Sequence, residues 1–271
     1  MLRFLILMGY FELTMYLHLS GKLNQYINLH YSYLAYLSMV LSFILAVVQL
    51  IIWVKQLKTH SHLTSKSAKI SSFGFLLVPL IVGLFFPTVT LDATTVSAKG
   101  YSFPLAAEND PGTQEQEGTS TQYLRPDTSS FFTKSAYTKE MKKSLAKYGH
   151  LDHIQVNTEN YMEVMEVIYD YPDQFVGKTI SFTGFVYQDP DKANNLFVFR
   201  FGIIHCIADS GVFGLLVTGS PTPYPDNTWV TVTGIIQVTY HQGLNQSLPS
   251  VALDTITPVS EPDNPYVYRV F

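Results

Sequence analysis

Cysteine is almost missing from this chain: 271 residues hold one, Cys206. A single thiol excludes an intramolecular disulfide framework and leaves the redox compartment open. Basic charge is scarce over most of the length. Residues 1–90 carry Arg3, Lys22, Lys55, Lys58, Lys66 and Lys69 against one acid, Glu12, whereas the remainder holds eleven basic and twenty acidic residues. So acidic a C-terminal part excludes nucleic acid as its partner, because binding phosphates needs a basic surface. Reaction signatures are missing too. There is no Gly-x-Ser-x-Gly, no phosphate-binding loop and no His-Glu-x-x-His, and scattered carboxylates fit a solvated surface. The leading expectation is therefore a protein that is not an enzyme.

Long hydrophobic runs are present, and they dominate the first third. Leu2 to Leu19, Tyr33 to Val54, and Phe73 to Phe86 (with a start as early as Ile70) are apolar. A spanning helix needs about 20 such residues, and about 17 is the practical minimum. The stretch from Leu34 to Trp53 has no charge. Pro79 lies inside the third run, where neighbouring helices can satisfy the freed backbone. The first run opens like a signal peptide, but Met15-Tyr16-Leu17-His18-Leu19 is too bulky for a cleavage site, so it is expected to be retained. Residues 1–90 thus read as a three-span region of a multi-pass protein of the cell membrane. Lys55, Lys58, Lys66 and Lys69 crowd the second connection. The positive-inside rule makes that loop cytoplasmic, so everything after Pro87 is expected to be extracellular.

Glu12 is the one acid inside a span. A carboxylate at mid-bilayer costs about 2.5–3.5 kcal/mol on insertion scales, so such a residue faces a partner or a pathway unless it packs within its own bundle. A subunit contact, an ion path, a protonated carboxyl and packing against a bundle tyrosine all stay open for it.

Residues 91–133 are rich in Thr, Ser, Gly, Pro and Glu and read as an exposed tether. Residues 134–271 form the soluble part. Ser135 to Tyr148 repeats apolar residues at helical spacing, with a basic face that suits either anionic lipid or solvent around a docked helix. Asn157 to Tyr171 is a second expected helix, with Asn160 and Glu163 spaced as a capping box and Pro172 as its stop. Five β-branched and aromatic runs follow: Thr179 to Tyr187, Leu196 to Ile207, Val212 to Thr218, Trp229 to Tyr240 and Val251 to Thr257. Gly184 and Gly234 lie inside two of them, which predicts a bend or bulge. A β-rich domain built as a small OB-like barrel with one or two helices is expected, with a β-sandwich as the alternative.

Reactive side chains concentrate in one place, Arg200, His205, Cys206 and Asp209. Imidazole, thiolate and carboxylate are a ligand set for zinc or a similar metal. Adjacent strand residues point to opposite faces, so His205 and Cys206 can share an ion only if the strand ends there. The other reading of Cys206 is a small buried hydrophobe. His150 and His153 form a second, weaker pair that also reads as surface histidines in a hinge.

The chain resembles the YcgQ-like family of uncharacterised bacterial membrane proteins. The likeness runs through Arg3-Phe4-Leu5-Ile6-Leu7, the three-span layout, the Pro87 exit, Gly177-Lys178-Thr179-Ile180, Thr183-Gly184-Phe185-Val186, and Arg200 to Asp209. Trp229-Val230-Thr231-Val232-Thr233-Gly234 and Pro265-Tyr266-Val267-Tyr268 complete it. The resemblance implies a polytopic permease-like partner and a link to metal, often zinc, homeostasis. Where the family commonly reads Cys-Cys-x-Ala-Asp, this chain has His205-Cys206-Ile207-Ala208-Asp209. That exchange keeps a metal ligand and forbids a vicinal disulfide. The first expectation is an accessory subunit of a permease complex that binds a metal ion or small ligand through His205, Cys206 and Asp209. In that reading Arg200 orients the loop or pairs with Asp209. A membrane-anchored extracellular thiol or metal-dependent enzyme and a purely structural interaction module are the alternatives.

Overall fold

The computed structural model describes residues 1–57, 65–86, 90–99 and 134–268. Most of the lysine-rich loop, the Pro87 exit and most of the expected tether lie outside them. The chain divides into two compact units, Met1–Val89 and Thr90–Phe271.

The first unit holds three helices, α1 (Leu2–Leu19), α2 (Ser32–Val54) and α3 (Lys66–Phe85). All three are long and apolar enough to cross a membrane. The third begins earlier than hydropathy alone predicts. Ser65 caps it by accepting the Ala68 N–H at 3.1 Å, so the polar turn at Lys66–Ser72 is helical before the apolar part begins. Glycines let α1 and α3 approach closely. A Cβ at Gly9 would stand 2.9 Å from Leu80 Cδ1, and one at Gly83 would stand 2.8 Å from Leu13 Cδ2, the small-residue packing that membrane helices favour. Pro79 is accommodated beside a contact between helices: the Tyr10 hydroxyl donates to the Leu76 carbonyl at 2.9 Å. Between α1 and α2, the Phe11 and Phe43 rings pack in a tilted arrangement 5.2 Å apart and Ala46 is fully buried.

In the second unit, strands β2 (Thr179–Gln188), β3 (Asn195–Ile203), β4 (Gly211–Thr218), β5 (Trp229–His241) and β6 (Gln246–Pro258) close a five-stranded barrel. Around it the order is β2-β5-β6-β4-β3 and back to β2. All neighbours are antiparallel except β4 and β6, which run parallel. This is the Greek-key barrel of OB type, and the sandwich alternative is excluded by the β2–β3 closure. Two short strands were not evident in the sequence. β1 (His153–Gln155) pairs parallel with β2, and β7 (Val267–Tyr268) pairs parallel with β3. Gly184 and Gly234 sit where another backbone comes close. A Cβ would lie 2.5 Å from the Phe199 carbonyl oxygen at the first and 2.2 Å from that of Ala252 at the second. The expected bulge appears at Thr233/Gly234, where the β5–β6 register shifts.

Helices cover the barrel. The tether expectation is corrected at its beginning: α4 (Ala93–Lys99) packs with the barrel, its Ala93 and Val96 belonging to the core. Ordering of this segment follows from specific bonds, Leu91 N–H to the Tyr266 hydroxyl and Ala93 N–H to Asn227 Oδ1. Next come α5 (Lys134–Tyr148) and α6 (Tyr161–Asp170). Of the two readings of α5, the docked one holds: Met141, Ser144 and Tyr148 are buried while Lys139, Lys142 and Lys143 are exposed.

The capping-box expectation for α6 fails, because Glu163 is engaged elsewhere. Its carboxylate receives Ser144 Oγ at 2.9 Å, Lys147 Nζ at 2.9 Å and the Tyr148 hydroxyl at 2.8 Å, clamping α5 to α6. Asn160 and Asn157 instead bond each other's backbone N–H reciprocally, at 2.8 and 2.9 Å. Burial raises the Glu163 carboxyl, but the three hydrogen bonds outweigh it and hold the group below its ordinary value. The clamp is therefore complete above about pH 4.3, the usual glutamate value, and weakens as pH falls through the lower folded-state value. Glu163→Gln is expected to remove this acid-labile part and to cost about 1–2 kcal/mol at pH 7. Thermal unfolding of both proteins between pH 3 and 7 would refute the clamp if the two curves stayed parallel.

Candidate functional site

Strand β3 ends at Ile203, so His205 and Cys206 lie beyond it and escape the alternation that would oppose them. The chain then turns through a short 3-10 segment, Ile207–Asp209, with Cys206 extended at its N-cap. The Asp209 carboxylate organises this turn. It accepts the His205 N–H at 3.0 and 3.1 Å, the Cys206 N–H at 3.0 Å and His205 Nδ1 at 2.7 Å. In return the Cys206 sulfur faces the backbone N–H of Asp209, closing a capping box. Cys206 is half-buried and is not part of the core.

Zinc would need three or four ligand atoms around one point. The structure brings His205 to Asp209 and seats Cys206 on the same turn. Among the described residues, however, the group of three metal-ligating side chains with ligand atoms all within 4.8 Å of one another is Asp189, Asp191 and His241. Recruiting Asp209 to a metal would also compete with charge-assisted bonds worth about 1.5–3 kcal/mol each. The chemistry of the 205–209 turn suits zinc, but its geometry is that of a self-satisfied cap.

Arg200 does different work from the pairing with Asp209 considered above. It is 4% exposed and points at the returning C-terminal segment. Nε donates to the Pro265 carbonyl at 3.1 Å, and Nη2 donates to those of Asn264 at 2.7 Å and Tyr266 at 3.2 Å. Nη1 donates to Thr158 Oγ1 at 3.0 Å. Tyr161 and Trp229 present their rings 5.6 and 5.7 Å from the guanidinium, a cation–π setting. Burial lowers the pKa of Arg200 and pushes that of the Tyr161 phenol up. The arginine fastens β7 to the barrel, and a planar fork of donors is the group that can span three carbonyls.

His150 and His153 do not share a helical face. His150 follows α5, its Nδ1 beside the Ala146 carbonyl, and His153 stands exposed on β1. Glu12 is exposed on α1, so packing inside the bundle is excluded for it. The Asp189, Asp191 and His241 group escaped the sequence reading. Its signals were faint: an Asp-Pro-Asp turn after one strand, and a lone histidine at the end of another, 52 residues from Asp189.

A membrane unit of three apolar helices joined to a closed five-stranded barrel defines a membrane-anchored barrel protein. The chain belongs to the DUF1980 family: residues 2–102 match its N-terminal domain and residues 131–269 its C-terminal domain. It is 59% identical over the full length of both chains to a Streptococcus mutans protein named "Putative two-component membrane permease complex subunit". It is 37% identical, again over the whole of both chains, to the UPF0703 protein YcgQ of Bacillus subtilis. No solved structure matches it.

Replacing Arg200 by methionine is expected to strand three carbonyls and to cost about 3–5 kcal/mol. Arg200→Lys recovers only part, because an ammonium lacks the planar fork. Thermal unfolding of the full-length protein in detergent decides this, and a methionine variant as stable as wild type would remove Arg200 from its fastening role.

Proposed function

We propose that this chain is a non-catalytic accessory subunit of a membrane permease complex. Its helices dock on a polytopic partner, and its barrel works on the extracellular side to hold a metal ion or small ligand for the complex. The observation that carries the docking is the position of Glu12. It stands exposed on α1, while Gly9 and Leu13 of the same helix pack on α3 and Phe11 packs on α2. An ionisable group on the outer face of a spanning helix is costly against lipid and favourable against a polar or basic group of a neighbouring subunit. Only 6% of each apolar window is buried within the three-helix unit, leaving wide surface for lipids and a partner. The name of the Streptococcus mutans relative supports a partner of permease type. Lys55, Lys66 and Lys69, with Lys58, support an inward loop and hence an outward barrel.

A metal held by His205, Cys206 and Asp209 is an alternative form of this reading, which the proposal does not require. It draws support from the 2.7 Å His205–Asp209 contact and is opposed by the hydrogen bonds that already occupy Asp209.

Two experiments test the proposal. With a photo-cross-linking residue at position 12, the chain is expected to give a defined adduct with a polytopic membrane protein; the same residue at exposed Leu41 of α2 is not. Glu12→Leu is expected to reduce co-purification of that protein at least ten-fold while the chain still inserts. Identical adducts at both positions would end the docking reading. Orientation has its own probe in the single thiol: a membrane-impermeant maleimide added to intact cells is expected to label the wild type and spare Cys206→Ser. Labelling only after the cells are broken would put the barrel inside.

A further inference from the structure

Two hairpins that are distant in sequence meet at His241. One is the β2–β3 connection with Asp189, Pro190 and Asp191, and the other is the β5–β6 turn with His241 and Gly243. The side chains of Asp189 and His241 are 1% and 3% exposed, and that of Asp191 is 42% exposed. The Leu244 backbone N–H points at His241 Nδ1 from 3.2 Å. A backbone N–H can only donate, so Nδ1 carries the lone pair and Nε2 the proton. Nε2 donates that proton to Asp189 Oδ1 at 3.1 Å, and the Phe197 ring, 5.7 Å away, flanks the imidazole. Asp189 Oδ1 also accepts the Asp191 N–H at 2.9 Å, and Oδ2 accepts Asn195 Nδ2 at 3.4 Å. The imidazole thus lies beside two carboxylates, with Nδ1 accepting and Nε2 donating. Among the described residues no Lys or Arg is ion-paired with either of them.

We propose that Asp191 and His241 bind a divalent transition-metal cation, with Asp189 holding the ring in its coordinating tautomer. Nδ1 and Asp191 Oδ2 stand 3.5 Å apart, long for a hydrogen bond. Two ligands each about 2.1 Å from one ion, at a roughly tetrahedral angle, would stand about 3.4 Å apart. A carboxylate behind the imidazole on its other nitrogen is the usual support of a metal-bound histidine, fixing ring and tautomer. The three residues offer ligand atoms all within 4.8 Å of one another, and the exposed side of Asp191 leaves room for water to complete the shell. An imidazole with carboxylate suits manganese, cobalt or zinc, whereas calcium and magnesium prefer oxygen alone. Gly243 supplies a second, independent fit. A Cβ there would lie 1.7 Å from Asp191 Oδ2, so any larger residue would push the carboxylate off the ring. The Leu244 N–H occupies Nδ1 when no ion is bound and gives way to one.

This inference stands on the barrel alone and survives or fails independently of the permease reading. The test is a Co²⁺ titration of the full-length protein in detergent, followed by the visible absorption of the bound ion. One equivalent is expected for the wild type. Binding at least ten-fold weaker is expected for Asp191→Asn and for His241→Ala, and unchanged binding for His205→Ala and Cys206→Ser. Asp191 is half-exposed, so Asp191→Asn is expected to unfold like the wild type in the absence of metal, which separates a lost ligand from a lost fold. Saturable binding that is absent from the wild type, or retained in Asp191→Asn, overturns the proposal. Loss in Cys206→Ser with retention in Asp191→Asn would move the ion to the 205–209 turn and overturn it equally.

Discussion

Closure of the barrel along β2 is the constraint on which the C-terminal unit depends. This strand bonds β5 over Thr179–Phe185 and β3 over Phe185–Gln188. Phe185 is the residue shared by both ladders. Its ring lies 6.4 Å from Phe199, 5.5 Å from Phe201 and 6.0 Å from Trp229, so the seam is packed by aromatics as well as hydrogen-bonded. Burying a side chain of this size contributes about 1.5–3 kcal/mol, but the larger effect is topological. A closed sheet has no long edge to expose, and an exposed edge would invite pairing with other chains. The short strands β1 and β7 each add a parallel pairing at a stretch of β2 or β3 that the short β2–β3 ladder leaves unpaired.

Closure also determines what the two ends of the barrel can bring together. β5 and β6 are each 13 residues long, and β5 pairs with β2 only as far as Ile235. The remainder of that hairpin is free to coil. The irregularity at Thr233/Gly234 supplies the twist, and bulged strands twist more strongly than regular ones. The overhang ends at His241, against Asp189 of the β2–β3 hairpin. A glycine that looks like a mere interruption of a strand thus helps set the meeting of a histidine with two aspartates.

That chain of causes explains what could be read from the residues and what could not. The spans, the five long strands and the two strand glycines each have a local signal: an apolar run, an alternation, a missing Cβ. Helix α5 was legible too, but which face it buries depends on Glu163 of another helix. The role of Arg200 depends on Asn264, Pro265 and Tyr266, more than 60 residues away, and no local pattern encodes that return. The 205–209 cluster was visible because its members are close in sequence. Closeness in sequence favoured a local answer, and the structure supplies one, since Asp209 binds the backbone of its own turn. The 189/191/241 group is the converse case, invisible in sequence because its members converge only once the barrel is closed.

The two units answer different physical demands, and the division bears on how a complex could use them. In the membrane there is no hydrophobic gain from bringing apolar helices together, so association relies on close packing and on polar groups with no better partner. Glycine-mediated contact between α1 and α3 spends the close packing inside this chain. An exposed carboxylate on α1 is then the feature left over to select a neighbour. In water the logic differs: the barrel satisfies its own backbone, and Asp189 and Asp191 meet beside His241 with no Lys or Arg ion-paired to them among the described residues. In the readings proposed above, the membrane unit calls for a protein surface and the barrel for a cation. The subunit proposed above, with one attachment to a permease and a separate place for an ion, needs those two demands kept apart, and a membrane bundle and a self-contained barrel on one chain are suited to that.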